Sequence, residues 1–149
     1  MVRSDIGASG VAFSLDTESG FRDAVVINGA YGLGELIVQG EISPDEFIVY
    51  KPKLDQPELN PILEKKIGQK HHKLVYGSNA NELVKRVPVE QKLTDQFCLE
   101  EDQVLELARW VVEIEKYYSN SRGKWTPMDV EWAYDGLSKM LFIVQARPE

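Results

Sequence analysis

Val104, Leu107, Ala108, Val111, Ile114 and Tyr118 recur at i, i+3, i+4, i+7, i+10 and i+14, which draws one apolar stripe down a helix from about Glu100 to Tyr118. It is the strongest helical pattern in the chain, and a one-sided apolar helix must bury that side against another element. Much of the remaining sequence reads as short strands, so the stripe predicts an α+β fold in which a mostly antiparallel sheet packs on this helix. The acidic opening Glu100-Glu101-Asp102 suits the positive end of the helix dipole, although Glu100 is a poorer cap than Ser or Thr. A polar loop, Ser119 to Thr126, is expected to follow.

The strands are bounded by turn chemistry. Gly10 to Leu15 is closed by Asp16-Thr17-Glu18-Ser19-Gly20, and Asp23 to Asn28 follows with a Val25-Val26-Ile27 centre, which reads as a β-hairpin. In Gly29-Ala30-Tyr31-Gly32-Leu33-Gly34-Glu35, three glycines within six positions permit close backbone approaches, marking a functional candidate. Phe47 to Tyr50 is a further strand, stopped by Pro52 and followed by a loop through Pro61, and Ile62 to Tyr76 reads as strands. Met128 to Tyr134 and Met140 to Ala146, joined by Asp135 to Lys139, form the clearest hairpin.

Composition removes several classes of function. At 149 residues the chain has room for one core, and its net charge of -7 disfavours nucleic acid or an anionic membrane as the main partner. The single cysteine, Cys98, can form neither an internal disulfide nor a multi-thiolate metal site, and it reads as a small buried apolar residue. Met1 to Asp5 lacks the apolar core of a signal peptide, and the longest apolar run is too short to span a bilayer. A cytoplasmic protein is the expectation.

In the last hairpin the side chains alternate, so Asp129 and Glu131 share one face of the first strand. Gln145 and Arg147 share a face of the returning strand, with Ile143 beside them and Phe142, Val144 and Ala146 opposite. For the two polar pairs to share one face, the connecting loop must hold an odd number of residues, or a β-bulge must restore the parity. Two carboxylates, an amide oxygen and a guanidinium would then suit a magnesium-bound polyphosphate: Mg²⁺ takes hard oxygen ligands and an arginine fork matches phosphate. The same alternation also describes a solvated sheet face with surface ion pairs.

Several motifs in order resemble the phosphoenolpyruvate synthase (pyruvate, water dikinase) family. They are Met1-Val2-Arg3-Ser4-Asp5 with Gly7-Ala8-Ser9-Gly10-Val11, then Tyr31 to Glu35, then Pro44-Asp45-Glu46-Phe47, then Asp129-Val130-Glu131-Trp132-Ala133, and Ile143 to Glu149. The resemblance covers the whole chain and implies that residues 1–149 are a single domain, the C-terminal ATP-grasp subdomain of the nucleotide-binding domain, and a fragment of a larger enzyme. It implies that Asp129, Glu131 and Gln145 hold Mg²⁺ and that Arg147 acts as the catalytic cation on the polyphosphate of ATP. It also puts Met1 and Val2 at the adenine hinge and Glu35 near the nucleotide.

The family reaction converts pyruvate, ATP and water to phosphoenolpyruvate, AMP and phosphate through a phosphohistidine. The implied partners are the first ATP-grasp half, the phosphohistidine domain and the pyruvate-binding domain, none of which this chain resembles. His71 and His72 match no motif. Two alternatives stay open. One is another dikinase, acting on pyruvate and phosphate, a glucan or an antibiotic; the other is a non-catalytic module that keeps the fold.

Overall fold

The computed structural model describes residues 2–34, 37, 40, 42–79 and 82–149. Among them are strands β1 (Ala8–Phe13), β2 (Ala24–Tyr31), β3 (Asp45–Tyr50), β4 (Ile62–Lys66), β5 (His72–Asn79), β6 (Glu82–Pro88), β7 (Met128–Asp135) and β8 (Met140–Pro148), with one long helix, α1 (Glu101–Arg122). Six strands form one sheet in the order β4-β3-β2-β1-β7-β8, and β5 and β6 make a separate hairpin. Every pairing is antiparallel. The chain is therefore α+β with a mostly antiparallel sheet, as the apolar stripe predicts.

The stripe does what its spacing requires. Val104, Leu107, Ala108 and Val111 are completely buried and pack with Ala12, Val25, Ile27, Phe47, Val49, Met128 and Val130 of the sheet. Each fully buried apolar side chain of Val or Leu size contributes about 1.5–3 kcal/mol. The packing therefore outweighs the intrinsic helix propensity of α1, which in isolation would be marginal. Gln103 Oε1 accepts the Glu100 N–H at 2.9 Å, so the poor cap residue has its own N–H satisfied. The helix runs one turn beyond the expected end at Tyr118: Ser119 to Arg122 continue it, and Gly123, at φ 69°, stops it in the left-handed conformation. The expected loop therefore begins only at Gly123.

One row across the sheet explains Gly29. Trp132 on β7 faces Gly10 on β1, which faces Gly29 on β2. A Cβ on Gly29 would lie 2.4 Å from the Trp132 ring, so the missing side chain is the space the indole fills. The indole N–H donates to the Val11 carbonyl at 3.2 Å.

The strand pattern predicted from sequence is present, with ends shifted by a few residues. The segment 62–76 contains β4 and the start of β5. Strand β6 has no counterpart in the sequence reading: its Leu83 is 82% exposed and Val84 38%, so it lacks a clear buried alternation.

The β7–β8 turn is tied to the chain's start. Asp135 Oδ1 accepts N–H bonds from Leu137 at 2.8 Å and Ser138 at 3.2 Å, and Gly136 N–H donates to the Arg3 carbonyl at 3.1 Å. Arg3 grips Asp5 through two bonds of 2.9 Å. The Leu137 N–H holds the Asp135 carboxyl below its usual range, and Arg3 does the same for Asp5. A carboxyl depressed in the fold stabilises it above the unfolded value of about 3.9, and that contribution is lost as pH falls through the lower folded value. Amide exchange at Leu137 should therefore accelerate as pH drops below that range, beyond the intrinsic change. Asp135→Asn keeps an acceptor but cannot titrate, so the same acceleration in that variant would refute the assignment.

Candidate functional site

One face of the six-stranded sheet is covered by α1; the other carries Asp129 and Glu131. Across the β7–β8 turn, Asp135 faces Met140, Tyr134 faces Leu141, Ala133 faces Phe142 and Trp132 faces Ile143. A regular continuation would put Gln145 and Arg147 on the opposite face from the two carboxylates. Instead a bulge falls between Glu131 and Trp132, with Val144 as the extra residue, so that Glu131 faces Gln145 and Asp129 faces Arg147. The four predicted polar residues share one face, and it is the bulge, not an odd-length loop, that restores the parity.

The bulge corrects three finer expectations. Ile143 does not lie beside Gln145 and Arg147; it packs on the core with Ala146. Phe142, facing Ala133, falls on the carboxylate side instead of opposite it. Val144 joins Glu131 in the wall of a pocket. Only Ala146 keeps its expected side.

Arg147 Nε donates to Asp129 Oδ2 at 3.2 Å, with the arginine side chain 65% exposed and the aspartate 16%. So open a pair contributes at most about 1 kcal/mol to stability, which leaves the guanidinium available to an anion. Glu131 makes no ion pair or side-chain hydrogen bond with the other described residues. Carboxylates on alternate positions of one strand lie about 6–7 Å apart.

Beside Glu131 the pocket measures ≈ 410 Å³ and is walled by Ser4, Ser9, Val11, Gly34, Ala133 and Val144, among others. Ser9 Oγ donates to the Gly32 carbonyl at 2.7 Å, and Gly32 N–H donates to the Gly7 carbonyl at 3.1 Å, which fixes the glycine segment at the rim. Gly32 takes φ 79°, a conformation that explains the residue type. A larger groove of ≈ 500 Å³ lies between α1 and β8, but its walls are Trp110, Ile114, Tyr117, Leu141 and similar residues, with Glu113 as its one carboxylate. Convergent polar groups, not volume, distinguish the first pocket.

Of the other predicted residues, Val2 precedes the short turn Ser4–Ile6 that brings Ser4 to the pocket, whereas Met1 and Glu35 lie outside the described residues. The sequence reading missed Ser9, Val11 and Val144 as pocket residues. Alternation held a usable signal for the first two, since Ala8 and Ala12 are core; an extra residue such as Val144 leaves no such trace. His71 and His72 are exposed.

The donor set itself tests the fit to a metal. Among the described residues no group of three or more His, Cys, Asp or Glu is gathered for a metal ion. Asp129, Glu131 and Gln145 offer only hard oxygens, too few for a protein cage. That is the set expected for Mg²⁺ that arrives with phosphate oxygens of its own.

Comparison with known proteins identifies the family of the whole chain. The family model described as "Pyruvate phosphate dikinase, AMP/ATP-binding domain" matches residues 1–149. The chain is 57% identical over 149 residues to the phosphoenolpyruvate synthase of Aquifex aeolicus (strain VF5), covering all of this chain and 17% of that protein. It is 52% identical to that of Synechocystis sp. (strain ATCC 27184 / PCC 6803 / Kazusa) and 48% to that of Escherichia coli (strain K12), in each case over the whole chain and 18% of the relative. The chain thus spans less than a fifth of the length of these relatives. Because that family model matches the chain from end to end, the chain belongs to the pyruvate phosphate dikinase AMP/ATP-binding domain family.

Proposed function

We propose that this chain is the C-terminal ATP-grasp subdomain of a phosphoenolpyruvate synthase and forms one wall of its Mg-ATP cleft. The observation that carries the reading is the bulge-aligned pair of pairs, Glu131 with Gln145 and Asp129 with Arg147, beside a pocket in a chain matched end to end by an AMP/ATP-binding family. Asp129, Glu131 and Gln145 would hold Mg²⁺, and Arg147 would bind the polyphosphate and stabilise charge there as a phosphoryl group leaves. Bound Mg²⁺ supplies further charge screening on the phosphate oxygens. Ser4, Ser9 and Val144, with Met1 and Val2 just before Ser4 in sequence, would receive the nucleoside end, and Glu35 would add a polar contact.

The whole reaction proposed is the one the family resemblance implies: phosphoenolpyruvate, AMP and phosphate from pyruvate, ATP and water, in the cytoplasm. It requires the first ATP-grasp half, a phosphohistidine domain and a pyruvate-binding domain. Among the described residues no helix is long and apolar enough to cross a membrane. Relatives at 48–57% identity that bear the synthase name favour it over a glucan or antibiotic dikinase.

The test is a heteronuclear titration of the 149-residue chain with Mg-ATP. Weak, saturable shifts are expected at the amides of Ser9, Glu131 and Gln145, with no phosphoenolpyruvate formed from pyruvate. Turnover by this chain alone would overturn the subdomain reading, and shifts confined to the α1–β8 groove would overturn the assigned site.

A further inference from the structure

Pro44-Asp45-Glu46-Phe47 is the one motif of the resemblance that the pocket does not use. Its Asp45 is completely buried and bonded to Lys70 at 2.7 Å, and the lysine side chain is also at 0% exposure. The carboxylate accepts two further bonds, from Gly68 N–H at 2.8 Å and Cys98 N–H at 2.7 Å. One side chain therefore ties the start of β3 to the β4–β5 loop and to the segment before α1. Burial pushes the Cys98 thiol well above its usual range, with the Asp45 carboxylate adding to the effect, so Cys98 stays a protonated packing residue as its sequence context suggests.

Lys70 Nζ also lies 5.7 Å from the centroid of the Tyr31 ring, within cation–π range. Tyr31 leads directly into Gly32, whose N–H and carbonyl are bonded to Gly7 and Ser9, and Leu33 N–H donates to the Leu74 carbonyl at 2.9 Å. Those bonds hold the two residues that lead into Gly34, which lines the pocket. A buried ion pair is weak evidence for stability, because an apolar replacement is often equally stable; its attested use is to specify one arrangement.

We propose that Asp45 and Lys70 are positioning residues for the nucleotide pocket, pinning Tyr31 from beneath so that the Gly32–Gly34 rim keeps the geometry that receives the nucleoside end. The inference rests on the Mg-ATP reading of the pocket. It extends that reading by giving the Pro44–Phe47 motif a role at a distance.

The test compares the wild-type chain with Asp45→Asn/Lys70→Met, which removes both charges together, and with Tyr31→Leu, which keeps the ion pair but removes the ring it supports. In both variants amide exchange at Gly32 and Leu33 should rise by about tenfold or more while Ile27 and Val130 keep their protection. Mg-ATP binding should weaken by about tenfold, whereas Mg-tripolyphosphate, which lacks a nucleoside, should bind within about twofold of wild type. If the double variant does not fold, Tyr31→Leu carries the comparison alone. Unchanged exchange at Gly32 and Leu33, or equal weakening of both ligands, overturns the proposal. Should wild type bind neither ligand, the Mg-ATP reading fails, and the exchange data still decide whether the pair pins the rim.

Discussion

Trp132→Ala is expected to remove about 3–5 kcal/mol of stability, the range for truncating a buried large aromatic, seen as a fall in the urea midpoint at unchanged slope. The upper part of the range is expected because the cavity cannot collapse. The indole fills the space where a Gly29 Cβ would lie, in a row with Gly10, and neither glycine has a side chain that could swing into the cavity. The loss includes the N–H bond to the Val11 carbonyl, whose lone pair is then left to other partners. Gly29→Ala provides the cross-check. In the wild-type background its Cβ meets the ring at 2.4 Å and should be destabilising; in the Trp132→Ala background it should be nearly neutral or favourable, giving a coupling well beyond the few tenths of a kcal/mol seen for independent sites. Additive effects, or a Trp132→Ala cost below about 1 kcal/mol, would show that Gly29 is not there for the indole.

How much of this was legible from residues alone depends on how local each cause is. The α1 stripe is local, and so are the β1–β2 and β7–β8 hairpins, because a period and a turn cluster are written within a dozen residues of one another. The end of α1 is less so. Ser119, Asn120 and Ser121 have the composition of a loop, yet they extend the helix until Gly123 offers the left-handed exit. The partnership of Asp45 with Lys70 was not legible, since a lysine in a Lys-rich stretch reads as solvated surface and only the fold brings it under β3. The candidate site lies between these cases. Alternation gives each strand's polar pair, and parity states what the hairpin must do to unite them, but it does not say where. Ile143, Phe142 and Val144 are misplaced by the regular pattern because the bulge lies between them and Gln145.

Glu131→Gln and Arg147→Ala should separate the metal role proposed for Glu131 from the phosphate role proposed for Arg147. Glu131 faces Gln145 and has no described partner of its own, so its charge is uncommitted in the free chain. If it binds Mg²⁺, replacing it with an amide removes a ligand while keeping shape and fold. In a longer protein with the first half of the cleft present, the loss of Mg-ATP affinity should be no smaller than the roughly 10–100-fold produced by changes one shell further out. The advantage that Mg²⁺ gives over ATP in a chelator should largely disappear with it. Arg147 is different: it is 65% exposed and spans to Asp129 at 3.2 Å, so it is paired but not sequestered. Arg147→Ala should weaken ATP both with and without the metal, by about 2–5 kcal/mol where the closed cleft buries the contact, and should leave the Mg²⁺ advantage in place. Neither variant should change the unfolding free energy by more than about 1 kcal/mol, because neither side chain is part of the core and the surface pair contributes little. Calorimetric titration with ATP, in magnesium and in chelator, measures all four affinities. If Glu131→Gln keeps the full magnesium advantage, Glu131 is an unpaired surface carboxylate, and the four residues share a sheet face without forming a metal site.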